Sequence, residues 1–282
     1  MSAPIVWRGL TAEEVRRQYD MRVAVPDGST YVAQYEARSR GARERLQGTR
    51  NIRYGTGPRQ VLDVFPAAAG APGVLFIHGG AWRYLSKDDF SYLAEPLVAA
   101  GISTVLAGYD LHPAATLRQM QDQVCEAVTW TVREVGSRLT IAGHSAGAQL
   151  GAMALARDFR GRGLARSPVR AAFLVSGVYD FEPHRHHERY LDLGLDEDTV
   201  QSTSPARNPP LDPDLPLVLA AGANETAEYV RHAHWFAGIC RERGNPASVL
   251  LSPGDHHFSV MDRFADPTHP LTRSLIDLAR TA

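Results

Sequence analysis

A serine between two glycines is the first feature of the sequence that could do chemistry. Ser145 lies in the segment Gly143-His144-Ser145-Ala146-Gly147, which follows an apolar run and precedes a run of alanines and leucines. In a tight turn between a strand and a helix, a serine hydroxyl is exposed at the edge of the sheet, and small neighbours avoid clashes. The helix N-terminus would add positive potential and the free backbone N–H of Ala146. The alternative is a chance match in a chain with 24 glycines, so the surrounding sequence has to support the nucleophile.

A second motif, His78-Gly79-Gly80-Ala81-Trp82, also stands at the end of an apolar run. A tetrahedral intermediate needs backbone donors directed at its oxyanion, and consecutive glycines let the chain come close enough to provide them. Gly79 and Gly80 are therefore candidates for an oxyanion hole, together with Ala146. The alternative is an ordinary Gly-Gly turn with His78 and Trp82 as packing residues.

A nucleophilic serine also needs a histidine base and a carboxylate. When the serine stands between a strand and a helix in this way, the carboxylate follows it in the sequence and the histidine comes last. After the predicted strand at 215–222, Glu225 lies in the loop and Glu228 begins the next helix. Glu225 is preferred as the acid, because Glu228 is explained as a first-turn charge on the helix dipole. His256 and His257 follow the last predicted strand. Adjacent loop residues face different ways, so one of these two histidines is expected to be the base.

Two larger side chains beside these motifs are candidates for contact with a substrate. Trp82 could line the space for the acyl group or stack on an aromatic leaving group, and His144 directly precedes the serine. Trp82 is as easily explained as an aromatic ring packed behind its loop, since tryptophan is often buried.

The elements that must position these residues alternate between strands and helices. Apolar or β-branched runs predict strands at 59–65, 73–78, 102–108, 138–143, 170–177, 215–222 and 247–254. Helices are predicted at about 86–100, 114–135, 146–158, 227–243 and 270–281. The alternation predicts a mainly parallel sheet with helices on both faces, in which ligands bind beyond the carboxyl ends of the strands.

Two segments do not follow this alternation, although residues 1–282 are interpreted as one domain. Residues 1–50 are charged and helix-prone, with Thr11 as an N-cap, and are expected to form an N-terminal cap. If this cap folds over the site, Tyr19 and Arg22 come near its mouth, but neither is assigned a role. The polar stretch 180–206 follows a strand and is interpreted as a lid insertion.

The lid insertion contains two features that could suggest other chemistry. The run His184-Arg185-His186-His187 invites a metal-site interpretation, but it lacks a carboxylate or cysteine partner at ligand spacing and is expected to be solvated lid surface. Asp180 competes as the triad acid, yet it is better explained as a turn or cap residue. No metal or other cofactor is expected.

Composition narrows the class of partner. With 30 Lys and Arg against 31 Asp and Glu, the net charge is −1, and no basic block suggests nucleic acid or anionic lipid. The sequence has neither a leader-like start nor 18 consecutive apolar residues, so neither secretion nor membrane insertion is expected. Cys125 and Cys240 are too few for a disulfide framework, which favours a cytoplasmic protein. The expected partner is a small-molecule ester or amide, and a homodimer is left open.

Taken together, the motifs resemble the α/β-hydrolase superfamily, and most of all its kynurenine formamidase (arylformamidase) and esterase branch. The segments that carry the resemblance occur in order: HGGAW, GHSAGAQL, SGVYD, GANETAEYVRHA and DHHFSVMD, preceded by RRQYDMR and YGTGPRQVLDVFP. The resemblance implies that Ser145 is the nucleophile, that Gly79, Gly80 and Ala146 donate to the oxyanion, and that His257, before Phe258, is the base. Glu225 stands where that branch usually has Asp.

The function expected from these residues is that of a serine hydrolase. His257 would take the proton of Ser145, the serine would attack an ester or amide carbonyl, and water would hydrolyse the resulting acyl-enzyme. The substrates expected are esters or aryl amides and formamides with short acyl groups. The alternatives are a strict N-formylkynurenine formamidase and, in another class, a non-catalytic small-molecule-binding member of the fold.

Overall fold

The computed structural model describes residues 3–136 and 138–281. In chain order the strands are β1 (Ile5–Trp7), β2 (Leu10–Thr11), β3 (Thr49–Arg53), β4 (Val61–Phe65), β5 (Gly73–Ile77), β6 (Ser103–Ala107), β7 (Leu139–His144), β8 (Val169–Val175), β9 (Leu217–Gly222) and β10 (Ala247–Ser252). The α-helices are α1 (Ala12–Tyr19), α2 (Met21–Ala24), α3 (Gly28–Arg45), α4 (Ala94–Ala99), α5 (Leu117–Glu134), α6 (Ala146–Leu155), α7 (Glu197–Thr203), α8 (Ala227–Glu242), α9 (Ser259–Asp262) and α10 (Pro270–Thr281).

The centre of the molecule is an eight-stranded, mainly parallel sheet with the order β10-β9-β8-β7-β5-β6-β4-β3. The strands β5 to β10 pair in parallel, whereas β4 pairs antiparallel with both β6 and β3. Every residue of β5, β6, β7 and β9 is buried, as expected for parallel strands with helices on both faces. The predicted α/β-hydrolase fold class is confirmed.

Two apolar clusters cover the two faces of this sheet. One contains Met120 and Val124 of α5, Leu150 of α6 and Phe236 of α8. The other contains residues of α3, α4, α9 and α10, among them Tyr35, Leu97, Val260 and Leu275. The sheet is therefore enclosed on both sides, and its open edge at the carboxyl ends is where side chains can meet a ligand.

The N-terminal fifty residues contain helices, as the sequence predicts, but the last two of these residues belong to a strand. The Thr11 side chain accepts a hydrogen bond from the N–H of Glu14 and starts α1, as predicted. From Thr49 the chain instead forms β3, the edge strand of the large sheet. Its residues are mostly polar and exposed, so no apolar alternation marks it as a strand.

The predicted helix at 86–100 is also shorter than expected. A 3-10 helix spans Lys87–Leu93, and only Ala94–Ala99 is α-helical. Pro96 has no N–H for the carbonyl of residue 92, and this prevents a continuous α-helix through the segment.

The predicted lid consists of two 3-10 helices, Glu182–His186 and Glu188–Leu193, followed by α7. The expectation that its histidine run is solvated surface is wrong for two members, because His184 and His187 are buried. The ring of His184 packs against Tyr19 of α1 and against Trp82, contacts between segments that are far apart in the sequence. In the described part of the chain, no cluster of three or more His, Cys, Asp or Glu side chains could hold a metal ion, and no helix is long and apolar enough to span a bilayer.

Candidate active site

Ser145 stands on the sharp turn between β7 and α6. Its backbone has φ 55° and ψ −119°, a conformation that costs energy for a residue with a side chain. The turn is held because the Ser145 N–H donates to the carbonyl of Val175 at 2.8 Å. A Cβ atom at Gly147 would lie 2.0 Å from the carbonyl oxygen of Ile77, so only glycine lets α6 pack this close to β5. The serine hydroxyl is thereby presented at the carboxyl edge of the sheet.

The serine, histidine and glutamate singled out in the sequence form one hydrogen-bonded chain. The Nε2 of His257 lies 3.0 Å from the Oγ of Ser145, and its Nδ1 lies 2.8 Å from Oε2 of Glu225. Since an ionised carboxylate only accepts, Nδ1 carries the proton and Nε2 is free to accept from the serine. Ser145 and His257 are both buried, and their burial protects these hydrogen bonds from competing water.

The glutamate is held by two further donors. The Ser176 hydroxyl donates to Oε1 of Glu225 at 2.5 Å, and the Gly222 N–H donates to the same oxygen at 2.8 Å. One carboxylate oxygen is thus anchored to the protein while the other meets the histidine. Sequence reasoning missed Ser176, although it stands in the quoted SGVYD segment directly after β8, and its positive φ of 53° sets it apart from an ordinary loop serine.

The two adjacent histidines face different ways, as expected. The Nδ1 of His256 accepts from the N–H groups of Phe258 and Ser259, and its ring packs against Tyr31. His256 therefore stabilises the turn into α9 and has no contact with Ser145.

His144 contacts the histidine loop through its imidazole. Its Nε2 lies 3.0 Å from the carbonyl oxygen of His257, so Nε2 must carry the proton and donate. Burial, and then the neighbouring His257, hold the pKa of His144 well below its ordinary value, and the ring is neutral. The sequence suggested His144 as a substrate contact; it lines the cavity and also fixes the backbone of His257.

The competing carboxylates lie elsewhere. Asp180 accepts from the Glu182 N–H at 3.0 Å in the turn that leads into the lid, and the sequence suggested such a turn role. Glu228 accepts from the hydroxyl of Tyr19 at 2.6 Å and forms an ion pair with Arg231. Neither carboxylate contacts His257.

The candidate oxyanion donors belong to the serine turn and to the glycine loop beside it. A Cβ atom at Gly79 would lie 3.2 Å from the Cβ of Ser145, which shows how closely this backbone approaches the nucleophile turn. Gly80 has φ +118°, and a Cβ there would lie 2.0 Å from the carbonyl oxygen of Tyr84. Among the described residues, no acceptor pairs with the amide of Gly79, Gly80 or Ala146.

The chain resembles known hydrolases over nearly its whole length. The family model of the alpha/beta hydrolase fold matches residues 74–227, more than half of the chain. The chain belongs to the α/β-hydrolase family. It is 28% identical to a kynurenine formamidase of Salmo salar over 96% of this chain and 98% of that one. It is 30% identical to a kynurenine formamidase of Drosophila melanogaster, with 80% and 79% covered.

The fold agreement extends to solved structures. A crystal structure from Silicibacter sp. tm1040, whose protein carries a thioesterase assignment, superposes with a TM-score of 0.83 at 24% identity, covering 95% of this chain and 99% of that one. This likeness concerns the fold. The family match and the formamidase relatives identify the chain as an enzyme of the α/β-hydrolase family.

A cavity of about 320 Å³ opens beside the serine of this α/β-hydrolase. Its walls come from the serine turn, from α2 and the start of α3 in the N-terminal segment, and from the lid. The lining side chains are mostly apolar or aromatic, including Val25, Val32, Tyr190, Tyr229 and Phe258. Of the two residues to which the sequence assigned no role, Arg22 lines the cavity, whereas Tyr19 is buried and does not line it.

Trp82 belongs to the cavity wall and to the core at once. It lines the cavity but is only 2% exposed, and its Nε1–H donates to Oε1 of Gln149 at 3.0 Å. The Nε2 of Gln149 in turn donates to the carbonyl of Thr203 in α7. Through Gln149, the indole therefore connects the glycine loop to the lid. Trp82 is both a packing residue, which fixes its loop, and part of the cavity wall.

Proposed function

We propose that this enzyme hydrolyses esters, aryl amides or formamides through a covalent acyl-serine intermediate. The observation that carries the proposal is the chain from Ser145 Oγ to His257 Nε2 and from His257 Nδ1 to Glu225, at 3.0 and 2.8 Å. In this mechanism His257 removes the serine proton as Oγ attacks the carbonyl, and it then gives that proton to the leaving alcohol or amine. Water activated by the same histidine hydrolyses the acyl-enzyme.

Glu225 acts on the reaction through the histidine. Its carboxylate keeps the proton on Nδ1 and stabilises the imidazolium that forms when Nε2 accepts the serine proton. The bonds from Ser176 and Gly222 to its other oxygen hold the carboxylate in place, so that the ring is already oriented before substrate binds.

The amides of Gly79, Gly80 and Ala146 are assigned to the oxyanion. They are unpaired donors around Ser145, and Ala146 adds the positive end of α6. Donors of this kind stabilise the negative charge that develops only in the transition state.

The acyl group is proposed to be short, with formyl and acetyl groups preferred. The cavity of about 320 Å³ must hold both the acyl and the leaving part of a substrate, and buried aromatic rings limit it. The near full-length similarity to kynurenine formamidases supports N-formyl arylamines as substrates and N-formylkynurenine as the first to be tried.

The N-terminal segment and the lid are proposed to belong to this one catalytic domain rather than to separate units. Both contribute cavity walls, through Arg22 and Val25 from the first and Tyr190 from the second. Cys125 and Cys240 are free and buried, which supports a location in the reducing environment of the cytoplasm.

Two measurements test the proposal. A fluorophosphonate probe is expected to label the wild-type protein at Ser145, and the Ser145→Ala variant is expected to escape labelling. A side-by-side panel of N-formylkynurenine, acyl anilides and nitrophenyl esters then ranks the substrates by kcat/KM. Absence of labelling and of turnover across the whole panel would overturn the assignment.

A further inference from the structure

Tyr229 presents a hydroxyl to the cavity that the proposed mechanism does not use. This residue is in the first turn of α8 and lines the cavity together with Ser145 and His257. It is buried, with 5% of its surface exposed. The hydroxyl of Tyr179 is buried without a partner, whereas that of Tyr229 keeps some surface open to the cavity. A ligand bound beside the serine can therefore reach it.

The ring of Tyr229 is held in place by its neighbours. Its edge meets the ring of His257, with 4.8 Å between the centroids and 66° between the planes. The ring centroid of Tyr19 lies 6.0 Å away, and the N–H of Tyr229 donates to the carbonyl of Thr226 at 3.1 Å. A polar group that is fixed before the substrate binds can stabilise a transition state without losing conformational freedom.

The hydroxyl of Tyr229 is also close to the nucleophile. Burial raises the pKa of Tyr229 well above its ordinary value, whereas the side chain of Ser145 acts on it as a hydrogen-bond partner and lowers the pKa. Among the described residues, this hydroxyl has no second hydrogen-bond partner. A protonated phenol can donate one hydrogen bond and accept another. The oxygen of Tyr229 is therefore able to accept from a bound substrate.

Its contact with His257 places Tyr229 on the side of the cavity where the leaving group departs. In the proposed mechanism His257 gives its proton to the leaving alcohol or amine. The carbonyl oxygen is assigned to the amides of Gly79, Gly80 and Ala146, so it does not need the phenol. The substrate atom that meets Tyr229 is then the leaving oxygen of an ester or the nitrogen of an amide.

An ester and a secondary amide differ at this atom, because only the amide nitrogen carries an N–H. In the tetrahedral intermediate, the nitrogen must turn its lone pair toward His257 to be protonated, and its N–H then points into the mostly apolar cavity. A buried N–H without an acceptor costs about as much free energy as a lost hydrogen bond. An ester carries no such group, so an acceptor at this place acts on amides alone.

We propose that the hydroxyl of Tyr229 accepts a hydrogen bond from the N–H of the scissile amide, and that this contact adapts the site to secondary aryl amides and formamides. The inference rests on the proposed acyl-serine mechanism and narrows its substrate class. No bond to Tyr229 forms or breaks. The serine proton still passes through His257 to the leaving nitrogen, and the phenol keeps its own proton.

Three acetyl substrates isolate this contact: 4-nitrophenyl acetate, benzyl acetate and 4-nitroacetanilide. All three form the same acetyl-enzyme, so differences in kcat/KM arise in binding and acylation and not in deacylation. Benzyl acetate has a leaving group that needs a proton, as the anilide does, but it has no N–H. Tyr229→Phe is expected to lower kcat/KM for the anilide, relative to both esters, by roughly 10- to 100-fold, the range for a buried donor left without a partner.

Tyr190→Phe is the matched control, because it removes a hydroxyl from the same cavity. Burial raises the pKa of Tyr190 to about 12, and the charge of Arg189 is the next largest influence on it. The amide-to-ester ratio of this variant is expected to equal that of the wild type. Phenylalanine keeps the ring contacts of Tyr229 with His257 and Tyr19, so both variants are expected to fold, which circular dichroism verifies.

The outcomes separate this inference from the mechanism on which it rests. The contact is overturned, while the hydrolase stands, if the amide-to-ester ratio survives Tyr229→Phe or if benzyl acetate loses as much activity as the anilide. An equal loss in Tyr190→Phe would overturn it too, as would a wild type that cleaves the esters through Ser145 but neither the anilide nor 4-nitroformanilide. If no substrate is hydrolysed and Ser145 is not labelled, the mechanism itself fails.

Discussion

At the scale of single residues, two serines of the site have strained backbones. Ser145 has φ 55° and Ser176 has φ 53°, in the region that side chains disfavour. Ser145 offers its hydroxyl to His257, and Ser176 offers its hydroxyl to Glu225. Strain of this kind persists where surrounding contacts enforce it, here the bonds of both amides to neighbouring strands at Val175 and Ala220.

The first prediction concerns the nucleophile and the base. Ser145→Ala and His257→Ala should each lower kcat by roughly 10⁴-fold or more, because groups that act as one unit lose most of their effect together. Steady-state kinetics on phenyl acetate, with circular dichroism to verify folding, provide the measurement. His256→Ala is the matched control, as this neighbouring ring only caps a turn and should have a much smaller effect. If His256→Ala lowered kcat strongly and His257→Ala left it nearly unchanged, His256 and not His257 would be the base.

The second prediction concerns the acid. Glu225→Gln should cripple turnover, because an amide cannot stabilise the imidazolium and can present an N–H to the histidine instead of an acceptor. Glu225→Asp should keep part of the activity, since it retains the charge at a shorter reach. Comparison of kcat for both variants tests this, and near-normal activity in Glu225→Gln would contradict it. Asp180→Asn serves as the control, since this carboxylate has no contact with His257.

At the scale of elements, the cavity is built mostly from segments outside the sheet. The N-terminal segment docks on α8 through Tyr19, whose hydroxyl donates to Glu228, and through the Thr226 hydroxyl, which donates to the carbonyl of Gln18 at 2.7 Å. Both contacts are at the start of α8, directly after the loop that carries Glu225. The same docking therefore closes the cavity and supports the loop of the proposed acid.

The third prediction concerns acyl length, which this enclosure limits. Formyl and acetyl esters of one phenol should be hydrolysed much faster than the octanoyl ester, because each methylene that does not fit is penalised by roughly 1–3 kcal/mol. The measurement is kcat/KM along a series from acetyl to octanoyl with a constant leaving group. Efficient hydrolysis of the octanoyl ester would contradict a short-acyl site and favour a lipase-like role.

At the scale of the whole molecule, buried neutral histidines link stability to pH. His232 accepts from the N–H of Tyr179 through Nδ1, so its Nε2–H faces the hydroxyl of Tyr19 at 3.0 Å. Burial lowers the pKa of His232, and likewise that of His78, to about 3 from 6.5. The folded protein therefore keeps both rings neutral at pH values where the unfolded chain would protonate them.

The fourth prediction follows from the sign of this shift. Between pH 6.5 and about 3 the unfolded state binds more protons, so the free energy of unfolding decreases as the pH falls through this window. Each such histidine contributes a slope of up to about 1.4 kcal/mol per pH unit. When the free energy of unfolding is measured with urea across this window, it should change less steeply with pH for His232→Asn than for the wild type. Above pH 6.5 the two proteins should show the same dependence of the free energy of unfolding on pH. If they also showed the same dependence within the window, His232 would be protonated in the folded state, which contradicts the prediction.

Much of the fold could be predicted because its signals are local. Buried strands appear as short apolar runs and helices as periodic ones, so the bounds predicted for β5 and α8 differ from the observed ones by one residue at most. Edge strand β3 was missed because its exposed, mostly polar residues carry no such signal. The buried His184 and His187 were misjudged because polar sequence predicts solvent, whereas their burial comes from packing under distant segments.

The sequence by itself determined the chemical groups available and their order along the strands, since backbone sterics and side-chain periodicity act over a few residues. Only the tertiary structure decided which of those groups meet. The His257 ring contacts a serine 112 positions away, while the adjacent His256 does not, and Ser176 reaches Glu225 across 49 positions. Arg189 pairs with Asp20 across 169 positions. Such contacts depend on strand order and on how the N-terminal segment and the lid pack over the sheet, which no short stretch of sequence records.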